Sequence, residues 1–390
     1  MIDKIKENWE KILLILKEEH EVSDVSYRTW LQPLTPYEFK GNTVTIIVPE
    51  QTFLAYVKKK YGLLLQVTIS EFLDQDCNVD FKVKMNYMKK IYLIATLLLC
   101  CLNSCIPPKK QSSEWKAKHV ILIGIDAWGA YSMNKANIPN IRSLMADGSY
   151  NLKKRSVLPS SSAPNWASMY MGAGPELHGY CEWGSQIPDL PSRITNTNKI
   201  FPTIFSVLRE AVPDAEIGNI CEWDGIRYLV DTLSLNYDKH VFEAEKDSSA
   251  TVRYAVNYIQ ERKPTFLNIV YDALDHTGHA VGHDTPGYYT KLEEIDGYIG
   301  EIITAIKDAG IWDETIIIVT ADHGGIKYNH GGRTMEEMET PFIISGPNIK
   351  SNFEMPESMM QFDIAPTIGY IFGLKPPQVW IGRPMTSAFK

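Results

Sequence analysis

From residue 118 onward the sequence predicts an α/β fold with a doubly wound, mostly parallel sheet, and over residues 1–84 it predicts a small α+β domain. Two observations carry the larger part. Near-continuous apolar, β-rich runs alternate with amphipathic stretches, the pattern of strands buried on both faces beneath crossover helices. Three of those runs close on acidic residues, Asp126, Asp275 and Asp322, and ligands in open α/β sheets bind at the carboxyl ends of the strands. A third observation is size: 390 residues at 44% apolar content exceed what one small core needs, so more than one domain is expected.

In chain order, Trp9, Ile12, Leu13, Leu14 and Leu16 mark an amphipathic helix, and Tyr27, Trp30 and Leu31 a short second one ending before Pro33. NTVTIIV (42–48) reads as a β-branched strand, residues 51–61 and 63–73 as two helices, and NVDFKV as a closing strand. Within this segment SYRTWLQPLTPYEFKGNTVTIIVPEQTFLAYVKKKYGLLL resembles the N-terminal domain of the bacterial replication initiator DnaA. That resemblance implies binding of replication proteins and self-association, with Trp9 as the family's early tryptophan. Trp30 reads as core packing, and Lys58, Lys59 and Lys60 as a solvated helix face. Neither a GxxxxGK(S/T) loop nor a basic helix-turn-helix follows, so the ATPase and DNA-binding modules of an initiator are missing from the sequence.

Residues 88–105, MKKIYLIATLLLCCLNSC, combine two lysines, an apolar run short for a bilayer, and small residues before a cysteine. The segment resembles a bacterial lipoprotein signal, with Leu102, Asn103, Ser104 and Cys105 as the lipobox and Cys105 as the lipidated residue. The resemblance implies a lipid-anchored periplasmic or cell-surface protein over residues 105–390. Such a signal belongs at an N-terminus, and Met85 and Met88 each suit a start. The chain therefore reads as two proteins joined end to end, by fusion or by a mis-joined reading frame, with residues 85–117 as signal and linker between domains 1–84 and 118–390. The net charge of −8 gives no basic footprint for direct nucleic-acid binding. The six cysteines form no CxxC pair, which argues against a zinc ribbon or a thioredoxin-like site; Cys181 and Cys221, each in a CEW tripeptide, are open to pairing in an exported protein.

In the larger domain HVILIGID is a strand, IPNIRSLMADG and FPTIFSVLREAV are helices, AEIGNI a strand, TVRYAVNYIQER a helix and TFLNIVYDALD a strand. YYTKLEEIDGYIGEIITAIKDAG is a long helix and TIIIVTADHGG a strand. Carboxylates converging from three strand ends repel one another and raise one another's pKa, and a divalent cation is the usual remedy. Asp275 precedes His279 by four residues in DHTGH, Asp322 adjoins His323, and His330 in NHGG supplies a third imidazole. Aspartate with imidazole favours zinc over magnesium or calcium. His276 and His283 are extra imidazoles outside the ligand pattern. In VLPSSSAPNWASMYMGAG, Pro164 suits a first helical turn and Gly172 a helix end, which puts Ser162 at a helix N-terminus. Free N–H groups and the dipole there attract phosphate oxygens and favour an ionised serine.

At this point IGIDAWG, PSSSAPNWASMYMGAGPELHGY, YDALDHTGH, TADHGG and HGGRTMEEMETPFIISGPNI together resemble the ordered motifs of type I phosphodiesterases and nucleotide pyrophosphatases, within the alkaline phosphatase superfamily. The resemblance implies an alkaline phosphatase-like fold and two zinc ions, one held by Asp275, His279 and His330, the other by Asp126, Asp322, His323 and the Ser162 oxygen. It also implies in-line attack by Ser162 and a phosphoserine intermediate that water hydrolyses. Two departures bear on substrate class. The family's phosphate-binding asparagine is replaced at YCEWGS by Trp183, leaving Asn165 and the Trp183 indole as alternative substrate contacts. The nucleophile is serine where threonine is usual, which leans toward monoesters. Trp183, Trp223, Asp224 and Tyr228 are candidates for the specificity wall. A sulfatase is the nearest alternative enzyme, since Ser162, Ala163 and Pro164 echo C/S-x-P-x-R, but Trp166 stands in place of the arginine. A replication-partner protein with an inert C-terminal domain is the alternative from another class.

Overall fold

The computed structural model describes residues 2–20, 22, 27–49, 51–83 and 115–390. The signal-like segment with Cys105 lies outside the described residues. Two compact units are present, within residues 1–110 and 111–390.

In the first unit, helices α1 (Ile2–Glu7) and α2 (Trp9–Glu19) precede strands β1 (Thr35–Lys40) and β2 (Thr43–Val48), helix α3 (Gln51–Leu73) and strand β3 (Asn78–Val83). The sheet order is β1-β2-β3, antiparallel then parallel. Ile12, Leu16, Val44, Ile46, Leu65 and Ile69 build its core. Three local expectations change. The short second helix is one π turn, Tyr27–Leu31. TPYEFK is an unexpected strand: its Pro36 is tolerated because β1 lies at the sheet edge, with a bulge between Pro36 and Glu38. The two helices expected on either side of Gly62 are one, since a helical glycine costs only about 1 kcal/mol and Tyr61 and Leu65 beside it are buried. Trp9 and Trp30 are half-buried against the core, and the Trp9 indole donates to the Leu34 carbonyl at 2.7 Å. Lys58 and Lys60 are exposed.

The second unit runs β4 (His119–Ile125), α4 (Pro139–Asp147), β5 (Ser149–Arg155), α5 (Ser162–Met171), α6 (Pro175–His178), α7 (Ile204–Ala211), β6 (Ile217–Cys221) and β7 (Tyr237–His240). It continues α8 (Ala250–Arg262), β8 (Phe266–Tyr271), α9 (Ala273–Val281), α10 (Pro286–Asp308), β9 (Thr315–Thr320), α11 (Met335–Met338), β10 (Glu339–Ser345), β11 (Phe353–Glu354) and α12 (Ile364–Ile371). The eight strands lie in the order β11-β5-β10-β9-β4-β8-β6-β7. Only β10 runs against its neighbours β5 and β9; every other pairing is parallel. Successive strand residues face opposite sides, and in β4 Val120 and Leu122 enter one core while Ile121, Ile123 and Ile125 enter the other. Strands β8 and β9 divide in the same way, which is why these runs are continuously apolar rather than alternating.

One expectation about strand ends fails. Strand β8 stops at Tyr271, so Asp275 sits in the first turn of α9 and the acidic residue at the strand end is Asp272. Cys181 and Cys221 are both free thiols, the latter buried, so they are not paired. Among the described residues no helix is long and apolar enough to cross a membrane.

Candidate active site

Three parallel neighbours in the sheet, β8, β4 and β9, deliver the acidic groups. Asp126 directly follows β4, Asp322 lies two residues beyond β9, and α9 starts two residues beyond β8. Two donor groups result: Asp275, His279 and His330 form one, and Asp126, Asp322 and His323 the other, with the ligand atoms of each within 4.8 Å of one another. In the first, Asp275 Oδ2 is 3.4 Å from His279 Nε2 and Oδ1 is 3.5 Å from His330 Nε2. In the second, His323 Nε2 is 3.1 Å from Asp322 Oδ2 and 3.5 Å from Asp126 Oδ1.

The protons on these histidines are set from behind. Nδ1 of His279 meets the Tyr328 carbonyl at 2.7 Å, Nδ1 of His323 the Gly324 carbonyl at 2.8 Å, and Nδ1 of His330 the Ser160 carbonyl at 3.2 Å. A carbonyl only accepts, so each Nδ1 carries hydrogen and each Nε2 is the ring nitrogen that faces the carboxylates. Burial, reinforced by neighbouring imidazoles, lowers the pKa of His323 and His330 and keeps them neutral. Burial also raises the pKa of Asp126, Asp322 and Asp275. Asp126 Oδ1, Asp275 Oδ1 and Asp322 Oδ2 are buried without a hydrogen-bond partner. Lone pairs facing lone pairs at such distances, on buried orphan oxygens, suit divalent cations, and the mixed aspartate and imidazole set suits zinc.

Ser162 opens α5, with Ser161 as N-cap and Gly172 in the left-handed conformation at its end. Its Oγ lies 3.3 Å from His323 Nε2. Asp126 is steered by Trp166, whose indole donates to Oδ2 at 3.0 Å, while Asp322 Oδ1 accepts from the Ala127 amide at 3.1 Å. A cavity of about 450 Å³ lies over this centre, lined among others by Ser162, Trp183, Trp223, Asp275 and His330. Trp183 is 66% exposed.

Several expected roles change place. Asn165 does not face the cavity: its Oδ1 accepts from the Val157 amide at 2.7 Å and its Nδ2 donates to the carbonyls of Val157, Pro159 and Ser161. The amide is consumed in bracing the loop before Ser162. The first turn of α5 is not wholly free either, because the Ala163 N–H donates to the Trp183 carbonyl at 3.1 Å. Asp224 pairs with Arg227, and neither it nor Tyr228 lines the cavity. His276 stands at the mouth, 3.4 Å from Asp272. His283 is buried between Gly278 and Gly325, where a Cβ on either glycine would strike its ring.

Three residues escaped the sequence reading. Asp272 joins Asp126 and Asp275 in a third group of close oxygens, and burial pushes it up to about 6. The strand-end rule would have found it had β8 been ended at Tyr271. Glu222 and the fully buried Lys154 carry no local signal; Lys154 donates to the Ala321 carbonyl at 2.8 Å and to the Gln361 side chain, beneath the Asp322 turn.

Residues 120–354 match the family model of type I phosphodiesterases and nucleotide pyrophosphatases. The chain belongs to this family, and with it to the alkaline phosphatase-like superfamily. Residues 6–71 match the DnaA N-terminal domain. Among curated relatives, the bis(5'-adenosyl)-triphosphatase ENPP4 of Bos taurus is 24% identical over 229 residues, 55% of this chain and 49% of the relative. The chain thus spans about half the length of that protein. The chromosomal replication initiator DnaA of Lachnoclostridium phytofermentans is 38% identical over 81 residues, 20% of this chain and 18% of that protein. Among solved structures, murine ectonucleotide pyrophosphatase / phosphodiesterase 5 shares the fold with a TM-score of 0.57 at 17% identity, covering 66% of this chain and 96% of that one.

Proposed function

We propose that residues 118–390 hydrolyse phosphate esters, in the first place phosphodiesters or nucleotide pyrophosphates, with Ser162 as nucleophile. The observation that carries this is the Ser162 Oγ at a helix start, 3.3 Å from His323 Nε2, beside the buried donor group Asp126, Asp322 and His323 and the group Asp275, His279 and His330 that lines the same cavity as Ser162.

Asp126, Asp322, His323 and the Ser162 oxygen would hold one zinc ion and Asp275, His279 and His330 a second, which when bound would supply Lewis-acid stabilisation of the attacking and leaving oxygens. The protein's own part is positional. The N-terminus of α5 favours a negative Ser162 oxygen. The Trp166 indole and the Ala127 amide each hold one oxygen of Asp126 and Asp322, leaving the other toward the site. The three backbone carbonyls behind the histidines keep Nε2 free of hydrogen. Ser162 Oγ bonds to phosphorus as the bond to the leaving alcohol breaks, and water then cleaves the phosphoserine, returning the hydroxyl and releasing the remaining phosphate. Trp183 and Trp223 offer flat faces to the organic group of the ester.

The test is the full chain with zinc, assayed on an aryl phosphodiester, an aryl phosphate and an aryl sulfate. Zinc-dependent phosphoester turnover is expected, falling by about a thousandfold or more in Ser162→Ala, with little action on the sulfate. Turnover retained by Ser162→Ala, or untouched by chelation, would sink the proposal; the ratio of diester to monoester rates decides between those classes. On the same footing, Cys105 carries a lipid anchor at the cell surface or in the periplasm, and residues 1–84 engage replication proteins or one another where they are made as part of the chain. Mass spectrometry of the native membrane fraction tests both: one polypeptide carrying both segments rules out a mis-joined frame.

A further inference from the structure

Helix α9 carries Asp275 and His279, yet its N-cap residue does not cap it. Asp272 occupies that position and makes no side-chain cap bond, although aspartate is among the best capping residues. Its carboxylate instead stands with those of Asp126 and Asp275. The helix start is satisfied from another strand: Oε2 of Glu222, one residue past β6, accepts from the Asp272 amide at 2.7 Å and the Ala273 amide at 3.0 Å. Oε1 accepts from the Thr251 hydroxyl at 2.8 Å, which fixes the carboxylate plane. The Glu222 backbone is held as well, its N–H by the Val270 carbonyl and its carbonyl by His240 Nε2.

From these contacts we infer that Glu222 is a positioning residue for the metal centre: by accepting from the Asp272 and Ala273 amides it anchors the start of α9, which keeps the Asp272 carboxylate in the site and holds Asp275 and His279 in register with His330. The inference rests on the metal-dependent reading above. Without Glu222, the Asp272 and Ala273 amides lose their acceptor, so the start of α9 shifts and carries the Asp272, Asp275 and His279 side chains with it. Glutamine at this position keeps the geometry, since its carbonyl accepts from both amides while its NH2 faces the Thr251 hydroxyl, which then accepts.

The experiment measures zinc affinity of the full chain by competition with a chromophoric chelator, beside kcat and KM for an aryl phosphodiester. Glu222→Ala is expected to lower zinc affinity about 10- to 100-fold and to lower kcat with KM nearly constant, partly restored by excess zinc. Glu222→Gln is expected to stay within about threefold of the parent, a rescue that separates positioning from charge. In an Asp272→Ala background the further effect of Glu222→Ala should shrink, because the two act on the same carboxylate. Folded Glu222→Ala with parental zinc affinity, or equal losses in the alanine and glutamine variants, would overturn the inference. Parental zinc binding without ester turnover would sink the catalytic proposal and leave this one standing; absence of zinc binding by the parent would end both.

Discussion

The Trp166 indole donates to Asp126 Oδ2 at 3.0 Å, and both side chains are fully buried. Through that bond the helix begun by Ser162 fixes which oxygen of Asp126 remains for a cation, coupling the proposed nucleophile to a proposed ligand. Trp166→Phe keeps the ring and removes the donor. Zinc affinity is expected to fall about 10- to 100-fold and stability by about 1–3 kcal/mol, read by chelator competition and thermal unfolding. Parental affinity in the variant would show that the indole does not orient Asp126.

Gly124 is where β4 lets that indole in. A Cβ there would lie 2.3 Å from the Trp166 ring, which is fully buried. Gly124→Ala should destabilise the fold by about 1–3 kcal/mol through overpacking. It should also depress activity more than Trp166→Phe does, because it displaces the whole ring; melting temperature and kcat measured together check this.

Asn165 gives a prediction opposite in kind to the substrate contact expected from sequence. Asn165→Ala strands the buried Val157 amide and frees the loop that leads into Ser162, at a cost of roughly 2–4 kcal/mol. At temperatures where the variant stays folded its KM should match the parent. A raised KM with unchanged stability would restore the substrate role.

The acidic cluster predicts how the metal-free protein responds to pH. Burial, aided by the charge of Asp275, pushes Asp272 up to about 6, against about 3.9 in an unfolded chain. The folded state binds this proton more tightly, so the stability it contributes is full below the unfolded value and is lost as pH rises through the folded one. Asp126, Asp275 and Asp322 are raised in the same direction. Asp272→Asn cannot ionise. In chelator it should therefore outlast the parent near neutral pH by an amount on the order of 3 kcal/mol, and match it near pH 4. Equal pH dependence in parent and variant melts would contradict this.

Much of the site was legible because its signals are local. Pro164 and Gly172 bracket α5, Asp275 and His279 recur at helical spacing, Asp126 directly follows one apolar run, and Asp322 and His323 lie two and three residues beyond another. What stayed hidden depends on partners distant in the chain. Nothing near Asn165 announces that its amide is spent on the loop before Ser162, or that the Trp183 carbonyl takes the Ala163 N–H. The end of β8 was misplaced by the apolar residues of α9, whose Leu274 continues the hydrophobic run into a helix.

The sequence by itself determined the layered α/β architecture, the order of the motifs and the residue types of both donor groups, since apolar periodicity and short-range spacing are properties of neighbouring residues. Tertiary structure alone decided which oxygen of each aspartate is left without a partner, which ring nitrogen of each histidine meets a backbone carbonyl, and that Glu222 anchors the start of the helix carrying Asp275 and His279. Those choices follow from contacts made across separations as long as the 195 residues between Ala127 and Asp322, and no local pattern encodes them.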